Sequence, residues 1–549
     1  MLNDLTRRQF LGFSGGVAAL LGLAGCSSGG DSAAGSDAGS ASAAVGGGTL
    51  TVGLSGNPVS ASIWTQQDIF SAIVCNLSVP YLVAMDQEGN KFDWLATSEP
   101  NEDATVWTIT LKDLFWQDGE PVTSEDLKFT AEYGVENQIG FSTSYFVGIT
   151  EIETPDDKTC VFHMENPNVT FWNGAGFWIP IMRKSEWEAV DDPMNYNPVQ
   201  EDGSANSYGP WAIKEWVDGQ YISMVKNEYW VSPEGSPEPQ VENVMFRIFT
   251  DENAMVLALE NGEIDTCANF IGPNSKTQLE GDGTFSLFSV ESLGYGQISF
   301  SQKHEFLQDV NLRKAVAMCV DREAFCEVGC KGDAVPMYTP VSPVFQDLVA
   351  SDIRQPDYDP AAAKQLLLDN GYTEDGDVLV APDGTKLDLE ITYRETIQNI
   401  QDVMDIFKGG CAEAGINLIL KPVDATTYSE NVTIGHDFQL SYTQWGTIDD
   451  VDTSLYTVYG IGQTLNFMDY NNEEMDALLL QMKQEPDQAK RIELLDQWQQ
   501  LFVENQPLVM TYVPVSVYAT STTNFDNFDV TYGNSGLLTC SLAVGITAK

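Results

Sequence analysis

Histidines, cysteines and clustered carboxylates are the residues whose spacing could announce chemistry in this chain. The histidines are three, His163, His304 and His436. No two are near enough for the paired imidazoles of an H-E-x-x-H zinc site. From residue 49 onward the nucleophile-elbow, phosphate-loop and dinucleotide glycine patterns are absent. A triad gathered from distant residues stays open to any large chain, but nothing in the spacing points to one, and no catalytic residue is assigned. Nine cysteines are present. Cys319, Cys326 and Cys330 fall close together near the end of an expected helix, yet no histidine or nearby carboxylate completes a ligand set around them. Buried free thiols or one disulfide are the readings left for that trio, and no metal or cofactor is assigned. Asp449, Asp450 and Asp452 crowd one loop. They read as a solvated acidic turn or, with enough oxygens around them, a calcium site.

Side chains this dispersed need large elements to bring them together, and the chain can build them. It has 549 residues, 43% hydrophobic and 11% aromatic, enough for several domain-sized units. Its formal charge is -53, from 27 basic and 80 acidic residues spread along the sequence. That balance argues against nucleic acid, whose phosphates need a basic face, and against adsorption on anionic lipid. A solvated acidic surface explains it; attraction of cationic solutes is the sharper alternative.

The first 26 residues read as a removed targeting segment. Thr6-Arg7-Arg8-Gln9-Phe10-Leu11 looks like a twin-arginine export motif, and Leu23-Ala24-Gly25-Cys26 looks like a bacterial lipobox. The apolar stretch between them is shorter than the roughly 20 residues a spanning helix needs, so a signal with lipid added to Cys26 is expected. Residues 27–48 are almost wholly Gly, Ala and Ser. They cannot bury enough surface to fold, and as a coil they would reach roughly 25 Å, a leash between membrane and domain.

Downstream, Thr49–Leu54 alternates as a first strand, and residues 81–118 read as a β-meander closed by the turn Asp118-Gly119. Thr123 and Asp126 form a capping box for the helix that follows. Ile149–Glu153 with Thr159–Met164, and Ala212–Trp216 with Tyr221–Lys226, make hairpins. Val244–Phe249 is a strand, Glu252–Asn261 a short helix, and Phe285–Phe300 is β-rich throughout. The pattern then turns to helices: Leu312–Val320 with Arg322–Val328, the stretch from Asp359-Pro360 to Gly371, Ile397–Ala414, Glu473–Met482 and Gln488–Glu504. Between them lie strands at Leu387–Tyr393, Ile416–Pro422 and Phe438–Trp445, and strands return at Leu508–Val513 and Val517–Ala519. The class is α/β with β-rich insertions in the first half.

Several segments carry a resemblance. They are Trp107-Thr108-Ile109-Thr110-Leu111-Lys112 with Phe115-Trp116-Gln117-Asp118-Gly119-Glu120-Pro121-Val122-Thr123; Tyr208-Gly209-Pro210-Trp211 with Lys226-Asn227-Glu228-Tyr229-Trp230; Ala258-Leu259-Glu260-Asn261-Gly262-Glu263-Ile264-Asp265; Asp309-Val310-Asn311-Leu312-Arg313-Lys314-Ala315; and Tyr358-Asp359-Pro360 to Asn370-Gly371-Tyr372. In this order, from about residue 49 to 530, the chain resembles the extracellular solute-binding proteins of family 5, which serve ABC importers of peptides and nickel.

The resemblance implies a two-lobed periplasmic-binding-protein-like fold joined by crossing strands. Lobe I would hold residues 49–297, with an extra β-rich subdomain at about 80–208. Lobe II would hold residues 298–506, and residues 507–549 would return to lobe I. It further implies a monomer outside the cytoplasm (in the periplasm where the cell has an outer membrane), held by lipid on Cys26. The partners would be a peptide or other small solute and the permease and ATPase subunits of an importer, with no nucleic acid. A nickel chelate held by histidine, with His436 as the candidate, an oligosaccharide, or a sensing role without transport are alternatives. Ligand contacts in the family cluster after the first strand, here Ser55–Gln67, and at a tryptophan loop, here Gln444–Asp452. Trp445 is the foremost candidate. Where peptide binders carry Trp-x-Ala-Asp-Tyr, this chain has Ile448 in the place of the aspartate that pairs with a peptide's amino terminus. Asp449 stands one position late. Trp64, Trp178 and Tyr295 are further candidates, since aromatic walls with few polar groups are what small-molecule pockets use.

Overall fold

The computed structural model describes residues 48–65, 68–140, 142–350, 352–446, 451–463, 465–532 and 538–549. The expectations for the leader, Cys26, the linker and Asp449 lie outside the described residues.

The strand Thr49–Leu54 alternates in sequence but is buried almost throughout, because it lies inside a sheet. It runs parallel to both Asn243–Ile248 and Thr266–Cys267. That sheet continues on one side through the hairpin Tyr221–Lys226 and Trp211–Val217, and on the other through Tyr512–Ser521 and Phe285–Glu291. A second sheet has the order Asn417–Val423, Asp388–Arg394, Leu440–Gln444, Gly296–Phe300, Leu508–Met510. Gly296–Phe300 is buried at every position, as a strand between two neighbours and beneath helices must be. A third sheet, four antiparallel strands at 96–100, 106–111, 159–164 and 149–153, forms the extra subdomain. There Val106–Leu111 shows clean alternation of buried and half-buried residues, the signature of a sheet with one covered face.

The helices start where the sequence provides caps. The Asp126 carboxylate accepts the Thr123 backbone N–H at 2.9 Å, and Asp359 accepts that of Ala362 at 2.8 Å with Pro360 in the first turn. Each satisfies a donor that the first turn would otherwise leave orphaned. The helix Gln488–Asn505 buries Leu495, Trp498 and Phe502, at the spacing that places them on one face.

Physical reasons account for the differences from the sequence reading. Phe285–Phe300 is two strands in two sheets, Phe285–Glu291 and Gly296–Phe300. The returning strands divide at Thr511, into Leu508–Met510 and Tyr512–Ser521. Those two breaks are the crossings between the halves. The helix expected from Ile397 begins at Ile400, because Asn399 sits in the left-handed region at φ 57°. The stretch after Asp321 is a single turn, Arg322–Ala324, widening into a π-turn at Phe325–Gly329. The helices Ile69–Ser78 and Val451–Tyr459 were not anticipated. The eight cysteines beyond Cys26 are all buried free thiols. Among the described residues, no helix is long and apolar enough to cross a membrane.

Candidate ligand-binding cleft

The site is built by the crossings. After Glu291 the chain leaves the first sheet, passes Gly294, and enters the second at Gly296. After Met510 it returns. Backbone bonds tie the two crossings to each other: Ser292 N–H donates to the Pro514 carbonyl at 2.8 Å, and Thr511 N–H to that of Gly296 at 3.0 Å. The strand Ala334–Pro336 clamps the return by pairing with Tyr512–Pro514. Close approach demands glycine here. A methyl on Gly294 would overlap the Trp445 carbonyl oxygen, and one on Gly296 the hydroxyls of Tyr442 and Thr511.

Against this hinge lies a cavity of about 240 Å³. The first half contributes Phe270 and Ile271, the second contributes Gln398, Asn399 and Trp445, and the crossings contribute Glu291, Tyr512 and Ser516. Trp445 N–H donates to the Tyr295 carbonyl at 2.9 Å, so its backbone is fixed one residue beyond the first crossing. The indole nitrogen of Trp445 and Nε of Arg394 are buried donors with no acceptor among the described residues. The Arg394 guanidinium lies over the Tyr428 ring at 5.6 Å and reaches the Gln444 carbonyl at 3.3 Å. Two carboxylates line the cavity, Glu291 and Asp333. Asp333 is paired with Lys276 at 2.6 Å, a bond between the helix Pro273–Leu279 of the first half and the segment leading out of the second. Burial pushes the Glu291 carboxyl up from its ordinary range.

The sequence-predicted residues separate. Trp445 lines the cavity. Tyr295 is fully buried beneath it, its hydroxyl 3.1 Å from that of Tyr459; it positions Trp445 through its backbone. Trp64 is buried in the first half, donating from Nε1 to the Pro180 carbonyl at 2.7 Å and packing edge-on against Trp187, and it does not line this cavity. Trp178 lines a separate apolar cavity of about 80 Å³ with Tyr81, Phe177 and Tyr532. None of the three histidines lines the cavity, and each is bonded to a neighbour: His163 to Glu153 at 2.7 Å, His304 to the Phe438 carbonyl at 3.0 Å, His436 to Asp469 at 2.8 Å. Glu291, Asp333 and Asn399 escaped sequence reasoning. The one available signal was the pair of alternate glycines, Gly294 and Gly296, which marks a tight passage shortly after Glu291.

Comparison with known proteins agrees with this architecture. The Oligopeptide-binding protein AppA of Bacillus subtilis is 25% identical over 479 residues, covering 85% of this chain and 86% of AppA. The solved structure of AppA in complex with a nonapeptide covers 92% of this chain and 99% of its own, at TM-score 0.72 and 22% identity. The ABC transporter substrate-binding protein CtaP of Listeria monocytogenes has the same fold at TM-score 0.78 and 21% identity, covering 91% of this chain and 99% of CtaP. NikZ of Campylobacter jejuni in complex with Ni(L-His) has it at TM-score 0.73 and 19% identity, covering 91% and 99%. Residues 93–466 match the family described as "Bacterial extracellular solute-binding proteins, family 5 Middle"; with that match over most of its length, the chain belongs to the bacterial extracellular solute-binding proteins of family 5.

Proposed function

We propose that the chain captures a short peptide or peptide-like solute between its two halves and delivers it, chemically unchanged, to the permease and ATPase of an ABC importer. The observation that carries this reading is a cavity with walls from both sheets, set against paired crossing strands. Contacts to a guest would then exist on both halves only when they close, and guest binding would shift the population toward closure. We place the lobes at 49–297 and 298–506, with 507–549 returning to the first. We place the monomer outside the cytoplasm, tethered through residues 27–48 by lipid on Cys26. Ligand pockets commonly occupy about 300–1,000 Å³, so a cavity of about 240 Å³ favours a short guest unless the hinge opens further.

The test is a thermal-shift panel on the full chain: pooled short peptides, nickel–histidine and oligosaccharides. A guest that binds only the folded state raises the melting temperature. The peptide pool should give the largest rise. A rise with nickel–histidine or oligosaccharides and none with peptides would refute the peptide assignment. Recovery of a cleaved or altered guest would refute the non-catalytic one.

A further inference from the structure

The charges around the cleft are lopsided. Among the described residues that line it there is no Lys, Arg or His, and the only carboxylates are Glu291 and Asp333. Asp333 is neutralised by Lys276. Glu291 has no donor to its carboxylate among the described residues, yet it is half-buried at the end of Phe285–Glu291, where the chain leaves the first sheet. Its charge is felt by the Tyr532 hydroxyl, which burial raises first and Glu291 second, with Glu88 and Asp86 adding to the effect. Tyr532 offers Glu291 no counter-charge.

A half-buried carboxylate without a partner is costly, and such groups persist where something else supplies the partner. The aromatic residues Trp445, Phe270, Tyr512 and Tyr518 line the same cavity. Aromatic faces and a carboxylate together are what a desolvated cation requires. Trp445, which lines the same cavity, carries a buried indole donor with no acceptor among the described residues, complementary to a carbonyl or carboxylate. A guest with a positive end and an acceptor end satisfies both groups.

We propose that Glu291 seats the positive end of the guest, so that the cleft selects solutes bearing a primary ammonium group. The inference rests on the solute-binding reading above and gives it a chemical class. It also accounts for Ile448, which stands where the related loop carries an aspartate: the carboxylate comes from the first crossing strand instead.

The probes are a pool of short peptides lacking Lys and Arg with free amino termini, the same pool N-acetylated, and putrescine, each titrated calorimetrically into the full chain, E291Q and E291D. The wild type should bind the free-amine pool at least about 10-fold more tightly than the acetylated pool, the effect of one charge-assisted contact. E291Q should erase that preference and E291D should retain part of it. Equal binding of both pools by the wild type, or an undiminished preference in E291Q, overturns the role of Glu291 and leaves solute binding standing. Binding of putrescine alone, lost in E291Q, keeps Glu291 and refutes the peptide reading. No response to any probe overturns both. The two peptide pools on the wild type decide the matter even if E291Q fails to fold.

Discussion

Trp445 is held by its backbone bond to Tyr295 at 2.9 Å and lines the cavity from the end of Leu440–Gln444. Such a ring at the centre of a binding surface is an anchor, and Trp445→Ala should weaken guest binding by about 2 kcal/mol or more, read by calorimetry, with the fold intact by circular dichroism. Unchanged affinity would show that the ring only packs. The cysteines point the other way, toward inertness. Burial pushes the Cys160 and Cys267 thiols up to about 12 and Cys330 up to about 11, and raises Cys75, Cys326, Cys411 and Cys540 as well. The thiolate is the reactive form, so at about pH 8 iodoacetamide should modify none of them in the folded chain. Mass spectrometry should find all seven alkylated after unfolding; rapid native labelling of Cys330, which borders the cavity, would contradict this. At this scale the sequence was partly legible. Trp445 could be singled out through its loop, whereas Glu291 reads as one acid among 80 acidic residues. Its isolation exists only once the crossing sets it in a cavity where no Lys, Arg or His lines the walls among the described residues.

Among the elements, helices with polar caps were legible because the cap is local: Thr123 with Asp126, and Asp359 with Pro360, mark their starts without tertiary help. The division of Phe285–Phe300 into two sheets was not, since both pieces have strand composition and only packing decides where the chain changes partners. Ile69–Ser78 escaped for a related reason. It buries most of its residues and so lacks the polar face that periodicity needs. The glycines are the local trace of the crossing. Gly294→Ala sets a methyl against the backbone oxygen of Trp445, where no flexible side chain can yield. Overpacking of this kind should cost about 1–3 kcal/mol and lower the melting temperature, and the displaced Trp445 should weaken guest binding as well. A variant with wild-type melting and affinity would show the crossing to be more pliant than its contacts indicate.

For the whole molecule, the dominant force beyond packing is charge. With a net -53, the folded chain repels itself at neutral pH. Burial also raises the carboxyls of Asp265, Glu186 and Glu291. A raised acid binds its proton more readily folded than unfolded, so its contribution is fully present below the unfolded pKa and is lost as pH rises through the folded one. Hydrogen bonds hold Asp103 and Asp156 down, and such groups withdraw stability only in stronger acid. The melting temperature of the guest-free chain should therefore rise as pH is lowered from about 7.5 toward about 5 and fall in stronger acid. A steady decline across the upper interval would contradict this balance of charges. The overall architecture was legible through the ordered motifs of a known family, while the cavity was not, because its walls are drawn from residues as distant as Phe270, Gln398 and Ser516.

Native mass spectrometry of the purified chain, titrated with short peptides and then denatured to release what it holds, is the most direct trial of capture without chemistry. The expected spectrum shows one guest per chain, and the mass released equals the mass added. A chain that retains no guest at any concentration, or that returns fragments of it, would contradict the account.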